Sequence, residues 1–184
     1  MGKIELYNLV LSILNLAPIT EEELEAGTDP IVVTLNGFYG TALRKASREH
    51  DWSFLTEEIE LEGEDLGPKG GFGHSYALPA NLFRLIEADG GRYRTVGATL
   101  MTDGSPSILA MTLSDEALAN CPADFWDLVA YGMAIFASPR LASGDVKLQT
   151  ISALYNSILE TLKENDVKDS LRLHNSPLDD GWEV

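Results

Sequence analysis

The spacing of apolar residues changes twice along this chain of 184 residues. Helical spacing, with apolar side chains three and four positions apart, is found in four stretches, at about residues 3–17, 29–50, 122–138 and 145–165. Between them, Glu58-Ile59-Glu60-Leu61-Glu62 alternates strictly, which is typical of a half-buried strand. The pattern predicts a mainly α fold, in which a helical bundle carries a small inserted antiparallel β-sheet at about residues 54–113. We expect one domain over residues 1–169 and an extended C-terminal tail over residues 170–184.

Local signals mark boundaries within this pattern. Pro18 ends the first helix, and Asp29-Pro30 is a helix start, because Asp caps well and Pro is tolerated in a first turn. The pair Asp103-Gly104 lies between two strand-like stretches and predicts a hairpin turn. Gly63 to His74 is rich in glycine, so we expect a mobile loop that serves as a flexible linker.

Charge narrows the possible classes of function. The chain carries 29 Asp and Glu residues against 13 Lys and Arg residues, a net charge of −16. This balance argues against a nucleic-acid clamp and against binding to an anionic membrane, since both need clustered cations. No apolar run approaches the ~18 residues of a membrane span. Solubility through self-repulsion explains the acidity by itself, and an acidic surface that DNA passes without binding is the alternative if the protein lines a channel.

A search for reactive groups finds no catalytic or metal-binding pattern. The three histidines, His50, His74 and His174, lie in separate regions without ligand spacing. The loop Gly67–His74 lacks the Gly-Lys-Ser/Thr of a phosphate-binding loop, and no nucleophile elbow is present. The single cysteine, Cys121, excludes an intramolecular disulfide. The sequence therefore predicts a protein that is not an enzyme and that uses no cofactor or metal.

The one concentration of basic residues lies on the second predicted helix and comprises Arg44, Lys45 and Arg48. Arg44 and Arg48 are four positions apart and share a helix face. They are candidates for contact with an acidic neighbouring subunit or with a phosphate, and an ordinary exposed helix face is the alternative.

The C-terminal tail carries four large apolar residues, Leu171, Leu173, Leu178 and Trp182. Chain ends are commonly disordered, and a solvating tail needs few such residues. Two interpretations remain open, which are terminal disorder and a segment that becomes ordered on a partner.

Several short motifs occur in an order that resembles a known family. Asp51-Trp52-Ser53-Phe54 is followed by Tyr76-Ala77-Leu78-Pro79 and Arg84, and Leu16-Ala17-Pro18-Ile19 precedes both. Pro122-Ala123-Asp124-Phe125-Trp126 opens a later helix. Together they resemble the head-to-tail connector (adaptor) proteins of tailed bacteriophages, the group that includes the tail tubular protein A family. Asn81 and Leu55 depart from the family pattern. The departure at Asn81, together with the short β-region, leaves open the short-tailed and the long-tailed subtype.

The resemblance implies a structural role at the head–tail junction of a virion. During assembly the protein would be located in the host cytoplasm. Twelve copies would form a ring on the portal protein, extend the DNA channel and provide a platform for tail or nozzle proteins. Genomic DNA would pass without sequence-specific binding, and no membrane is involved. Residues Leu171, Leu173, Leu178 and Trp182 would bind the portal, and the loop residues Lys69, Phe72 and His74 would contact tail proteins.

Two other classes of function compete with this one. An acidic interaction protein would mimic DNA and occupy a basic partner, but the carboxylates are spread over helices and loops rather than along one stripe. A small enzyme that uses these carboxylates would need acid–base or metal-ligand spacing, which the sequence does not provide.

Overall fold

The computed structural model of the protein describes residues 1–61, 65–89, 91–141 and 148–174. Its elements in chain order are α1 (Lys3–Ile13), α2 (Glu21–Ala26), α3 (Pro30–Arg48), a 3-10 turn (Ser53–Leu55), β1 (Thr56–Glu60), β2 (His74–Ala77), β3 (Leu82–Ala88), β4 (Tyr93–Val96), β5 (Thr99–Thr102), β6 (Ser107–Thr112), α4 (Asp115–Ala119), α5 (Ala123–Leu141) and α6 (Leu148–His174). The chain divides into two compact units. Met1–His50 and Pro122–Val184 form the helical unit, and Asp51–Cys121 forms the β unit.

The prediction of a mainly α fold with a small inserted sheet is wrong. Helix accounts for 53% and strand for 20%, and the strands form two three-stranded antiparallel sheets, so that the fold is mixed α/β. The sequence pattern missed the second sheet because its three strands are only four residues long. One of them, β4, is exposed at every position, so no apolar–polar alternation can be read from it.

The helices begin where capping groups satisfy their first N–H groups. At the predicted start of α3, the Asp29 carboxylate accepts hydrogen bonds from the N–H groups of Ile31 (2.7 Å) and Val32 (3.4 Å). The short helix α2 was not predicted, and it begins with a capping box formed by Thr20 and Glu23. At the C-terminal end, α6 continues to His174, beyond the predicted end at residue 165.

The helix α5 is the centre of the helical unit, and α1, α3 and α6 pack against it. Its buried residues lie on all sides, which is typical of a helix surrounded by others. They are Phe125, Trp126, Leu128, Val129, Ala130, Gly132, Met133, Ala134, Ala137 and Ser138. Gly132 lies where α3 and α6 both approach, since a Cβ atom added there would lie 3.5 Å from the Tyr155 ring and 3.6 Å from the Ala42 methyl group.

The two glycines inside α3, Gly37 and Gly40, are not points of close helix approach. A Cβ atom added at Gly37 would meet nothing within 4 Å, and at Gly40 it would meet only the guanidinium of Arg44. Among the described glycines of the helical unit, Gly132 is therefore the one at which two other helices approach closely.

The β unit contains the sheets β1-β6-β3 and β2-β5-β4. In the first sheet, β6 pairs with β1 and β3, and Leu109 stands opposite Glu58 on one side and Glu87 on the other. In the second sheet, β5 pairs with β2 and β4, and Met101 stands opposite Ser75 and Arg94. Because side chains alternate between the two faces of a sheet, these registers decide which residues share a face.

The hairpin predicted at Asp103-Gly104 is absent, because β5 and β6 belong to different sheets. The hairpin of this region joins β4 to β5 through Gly97-Ala98, with Gly97 at a φ of 59°. Asp103 instead binds the loop before β2, as described below. At Asp103 the chain crosses from one sheet to the other.

The core of the β unit lies between its sheets. Leu100 of β5 and Ile108 and Ala110 of β6 are fully buried together with Leu61 and Ala88. Half-buried apolar side chains from the remaining strands surround this cluster, and they are Ile59, Tyr76, Leu78, Leu82 and Leu85. Each sheet therefore has an inner face toward this core and an outer face away from it.

Across the described helices, none has both the length and the apolar character needed to cross a membrane.

Candidate functional site

The loop over residues 65–73, which the sequence predicted to be a mobile linker, is held in place by hydrogen bonds. The Asp65 carboxylate accepts from the N–H groups of Gly67 (2.9 Å) and Ser75 (3.0 Å), and its second oxygen lies 2.6 Å from Nδ1 of His74. The Ser75 hydroxyl donates to the Gly67 carbonyl at 2.7 Å. The first half of the loop is thereby fastened to β2.

The same contacts act on the acidity of Asp65. The hydrogen bond from His74, followed by those from the N–H groups of Ser75 and Gly67, lowers the pKa of Asp65 from 3.8 to about 2. Because these donors stabilise the ionised form, the anchor is present over the whole neutral range.

A second carboxylate holds the other end of the loop. Asp103 accepts from the Gly73 N–H (2.9 Å) and from two nitrogens of Arg92 (3.1 and 2.9 Å). These contacts, with that from Gly73 the largest, lower the pKa of Asp103. Arg92 also donates to the Gly71 carbonyl at 2.9 Å, and its guanidinium lies 4.7 Å from the centre of the Phe72 ring.

Between these anchors the loop reverses direction over the outer face of the sheet β2-β5-β4. Lys69 and Phe72 exchange two backbone hydrogen bonds of 3.1 Å across Gly70 and Gly71, which both have positive φ angles (60° and 85°). Such a turn needs residues that tolerate positive φ, and glycine does so without steric cost. A Cβ atom at Gly70 would lie 3.2 Å from the sulfur of Met101, so the loop covers that buried side chain.

Of the three loop residues proposed from the sequence, Lys69 is exposed, Phe72 is half-buried under Arg92, and His74 is the first residue of β2. The anchors Asp65, Asp103 and Arg92 were missed. A local signal was present for Asp65, because an Asp two residues before a Gly commonly bonds the backbone ahead of it. No local signal indicates Asp103, since its bond to Gly73 spans 30 positions.

Charges in the β unit are separated between its sheets. The strands of β2-β5-β4 contain no carboxylate and one arginine, Arg94. Outside these strands, Lys69 and Arg92 add two cations and the loop anchors Asp65 and Asp103 add two carboxylates, of which Asp103 is paired with Arg92. The strands of the other sheet contain Glu57, Glu58, Glu60 and Glu87 and a single cation, Arg84, which forms an ion pair with Asp51.

The outer face of β1-β6-β3 carries a groove of about 220 Å³. Its lining includes the carboxylates of Glu58, Glu87 and Asp89 around Leu109, whose exposed fraction is 38%. Hydroxyl groups donate to two of these carboxylates, from Ser107 to Glu58 (3.0 Å) and from Ser105 to Asp89 (2.9 Å).

In the helical unit, one residue of the basic group of α3, Lys45, forms contacts with other residues of the same unit. Lys45 Nζ lies 3.2 Å from a Glu49 carboxylate oxygen and 4.0 Å from the centre of the Tyr155 ring. The Tyr155 hydroxyl donates to the same Glu49 oxygen at 3.3 Å. Burial by itself would lower the pKa of Lys45, but its interactions with Tyr155 and Glu49 outweigh burial and raise that pKa. Arg44 and Arg48 are exposed on α3, and their role as inter-subunit residues stays a prediction.

One more polar contact joins the end of α3 to α6. His50 Nε2 lies 3.2 Å from the carboxylate of Asp166, which is 4% exposed. Together with the Lys45–Glu49–Tyr155 group, this pair fixes the position of α6 along α3.

The surface of α6 that faces away from α5 is poor in charge. Only Glu160 is charged among residues 148–161, and Leu148 and Leu154 are 41% and 43% exposed. The buried side of the helix comprises Ile151, Tyr155, Leu159, Leu162 and Asp166. The side of the helix that faces away from α5 therefore carries mainly uncharged polar residues together with Leu154, and no described residue covers it; we call this side the exposed strip of α6.

The predicted portal-binding residues fall at the end of the chain. Leu171 and Leu173 belong to the last turns of α6, and Leu178 and Trp182 lie outside the described residues.

No cluster of three or more potential metal-ligating side chains occurs within residues 1–61, 65–89, 91–141 and 148–174. The thiol of Cys121 is half-buried, and burial raises its pKa to about 12. Comparison with protein-family models and with curated proteins gave no match to this sequence.

Proposed function

We propose that this protein is a structural component of a tailed-bacteriophage virion that forms a ring between portal and tail. The ring would extend the DNA channel and serve as a platform on which tail or nozzle proteins assemble. The proposal rests on the order of the motifs from Leu16 to Trp126 and on one feature of the surface, the exposed strip of α6.

That strip carries the proposal because it differs from the rest of the chain. Charged residues make up 23% of the sequence, whereas residues 148–161 contain one charged residue among fourteen. The exposed residues there are otherwise Leu148, Gln149, Thr150, Ala153, Leu154, Asn156, Ser157 and Thr161. Depletion of charge is the compositional mark of the centre of a protein–protein interface. We infer that this strip is covered by another protein in the assembled state.

The acidity of the chain fits the proposed location. A ring of many copies would multiply the net charge of −16 carried by each copy. Carboxylates that line a channel repel the phosphates of DNA, so the duplex passes without binding.

Mixing the protein with the portal protein encoded in the same genome tests this function. Native mass spectrometry then measures how many copies each portal ring acquires. One copy of this protein per portal subunit is the expected result. A portal that stays bare at low and at moderate salt would refute the proposal, and salt-sensitive capture by cationic proteins in general would favour the acidic binder that mimics DNA.

A pair of variants tests the role of the strip. Leu154→Glu places a negative charge within it, and Asn165→Glu places the same charge on an exposed position of the same helix outside it. We expect Leu154→Glu to abolish assembly and Asn165→Glu to retain it, with both variants folded by circular dichroism. Equal assembly of the two variants would show that the strip is not part of the interface.

A further inference from the structure

We propose that neighbouring copies in the ring associate head to tail through the β unit, with the cationic face of one copy against the acidic face of the next. The cationic face is the outer side of the sheet β2-β5-β4 and comprises Lys69, Arg92 and Arg94. The acidic face is the outer side of the sheet β1-β6-β3 and comprises Glu58, Glu87 and Asp89 around Leu109. This inference rests on the proposed function and specifies how its subunits contact one another.

The two faces point in opposite directions. Leu100 of one sheet and Ile108 and Ala110 of the other meet in the core between the sheets. Arg94 lies opposite Met101, one position away from the Leu100 row, and therefore points out of the core. Glu58, Leu109 and Glu87 form one row next to the Ile108 row and point outward from the other side.

Each face has charge to offer a partner. Among the described residues, Lys69 and Arg94 form no ion pair, and the cationic face includes Arg92, which is shared with Asp103. The acidic face receives two hydroxyl donors, and no described cation forms an ion pair with Glu58, Glu87 or Asp89. With Arg92 paired to Asp103, the cations that this face can offer a partner are Lys69 and Arg94.

Exposed apolar groups accompany the charges on both faces. Val96, which shares the face of Arg94, is 52% exposed, and Leu109, on the acidic side, is 38% exposed. An apolar centre with charged groups around it is the composition of a protein interface, in which charge complementarity sets orientation and excludes incorrect pairings.

Symmetry selects a second copy of this chain as the occupant. A two-fold contact would place like faces together, cation against cation or carboxylate against carboxylate, which is unfavourable. A head-to-tail contact pairs opposite charges, and it is the kind of contact from which a ring is built when the rotation between successive copies closes. Hydrogen bonds at both ends hold the loop over residues 65–73 and the backbone of Lys69 in place, which reduces the entropy lost on association.

Charge reversal tests the inference with the full-length protein and its portal. Arg94→Glu replaces one cation of the cationic face with a carboxylate, and Glu87→Arg replaces one carboxylate of the acidic face with a cation. We expect each variant alone to need about tenfold more protein than wild type for half-maximal ring formation, because each interface in the ring then loses one attractive pair. Native mass spectrometry counts the copies, and Lys168→Glu serves as the control with the same charge change in the helical unit.

Two rescue experiments make the result specific. An equimolar mixture of the two single variants is expected to form mixed rings in which they alternate, since each reversed face then meets its complement. The double variant with Arg94→Glu and Glu87→Arg is expected to form rings alone, for the same reason.

The possible outcomes separate the inference from the proposed function. Assembly of wild type on the portal, with no effect of either reversal or no rescue by mixing, would overturn this inference and leave the proposed function in place. If Glu87→Arg forms rings normally and loses only the binding of a tail protein, the acidic face contacts that partner instead. This result would likewise overturn the inference. Failure of wild type to assemble on the portal would refute both.

Discussion

Substitution of Gly132 tests the packing at the centre of the helical unit. The added methyl group of Gly132→Ala would lie 3.5 Å from the Tyr155 ring and 3.6 Å from the Ala42 methyl group, which are ordinary contact distances. Alanine is favoured over glycine inside a helix by about 1 kcal/mol. We therefore expect Gly132→Ala to raise the free energy of unfolding by about 0.5–1 kcal/mol.

A larger side chain at the same position has the opposite effect. Gly132→Leu adds three further carbon atoms where α3, α5 and α6 already meet, and overpacking of this kind costs about 1–3 kcal/mol. Leucine and alanine have similar helix propensities, so the leucine variant should be less stable than the alanine variant by the overpacking cost, about 1–3 kcal/mol. For a protein of this size, such a difference corresponds to roughly 2–12 °C in the thermal midpoint.

Gly37 provides the matched control, because a Cβ atom there meets nothing within 4 Å. Both Gly37→Ala and Gly37→Leu should be more stable than wild type by about 1 kcal/mol or slightly less. The assay is urea unfolding monitored by circular dichroism at 222 nm, a wavelength dominated by the helices. Equal stabilities of Gly132→Leu and Gly132→Ala would refute the close approach of the three helices at this point.

Three further predictions concern the loop, the junction of α3 with α6, and the C-terminal end. Because the pKa of Asp65 is lowered, the hydrogen bonds that anchor the loop to its carboxylate should be complete above about pH 4 and lost as the pH falls through about 2. Amide exchange at Gly67 measures this loss, and Asp65→Asn should show fast exchange already at neutral pH. Tyr155→Phe removes the hydroxyl bond to Glu49 and should cost about 1 kcal/mol in urea unfolding, and an unchanged midpoint would contradict that bond. Deletion of residues 171–184 should abolish co-sedimentation with the portal while the thermal transition is retained, and unchanged docking would exclude the tail as the portal anchor.

The loop over residues 65–73 is more ordered than its sequence predicted. Its glycines predicted flexibility, but glycine only permits unusual backbone angles, and the surroundings decide whether the loop is mobile. Here Asp65, near in sequence, and Asp103, 30 positions from its partner Gly73, fix the loop at both ends. The first anchor had a local signal, and the second depends on the crossing of the chain between the sheets.

The basic group of α3 illustrates the same limit. Helical spacing placed Arg44 and Arg48 on one face, and both are exposed. The position of Lys45 was also clear, but its partner Tyr155 belongs to α6, more than a hundred positions away. A charge pattern shows which helix face a charged residue occupies. Only the packing of helices that are distant in sequence shows whether that charge already interacts with another side chain.

By itself, the sequence determined the local elements of this protein: the start of α3 at Asp29 and Pro30, the helical spacing of α5 and α6, and the half-buried strand β1. These follow from the repeat of apolar residues and from capping groups, which act over a few positions. Tertiary structure decided the division of six strands into two sheets, the fastening of the loop and the separation of charges between the cationic and acidic faces. Those features depend on which strands pair and which surfaces cover one another, and a local repeat carries no information about a partner that lies far away in the chain.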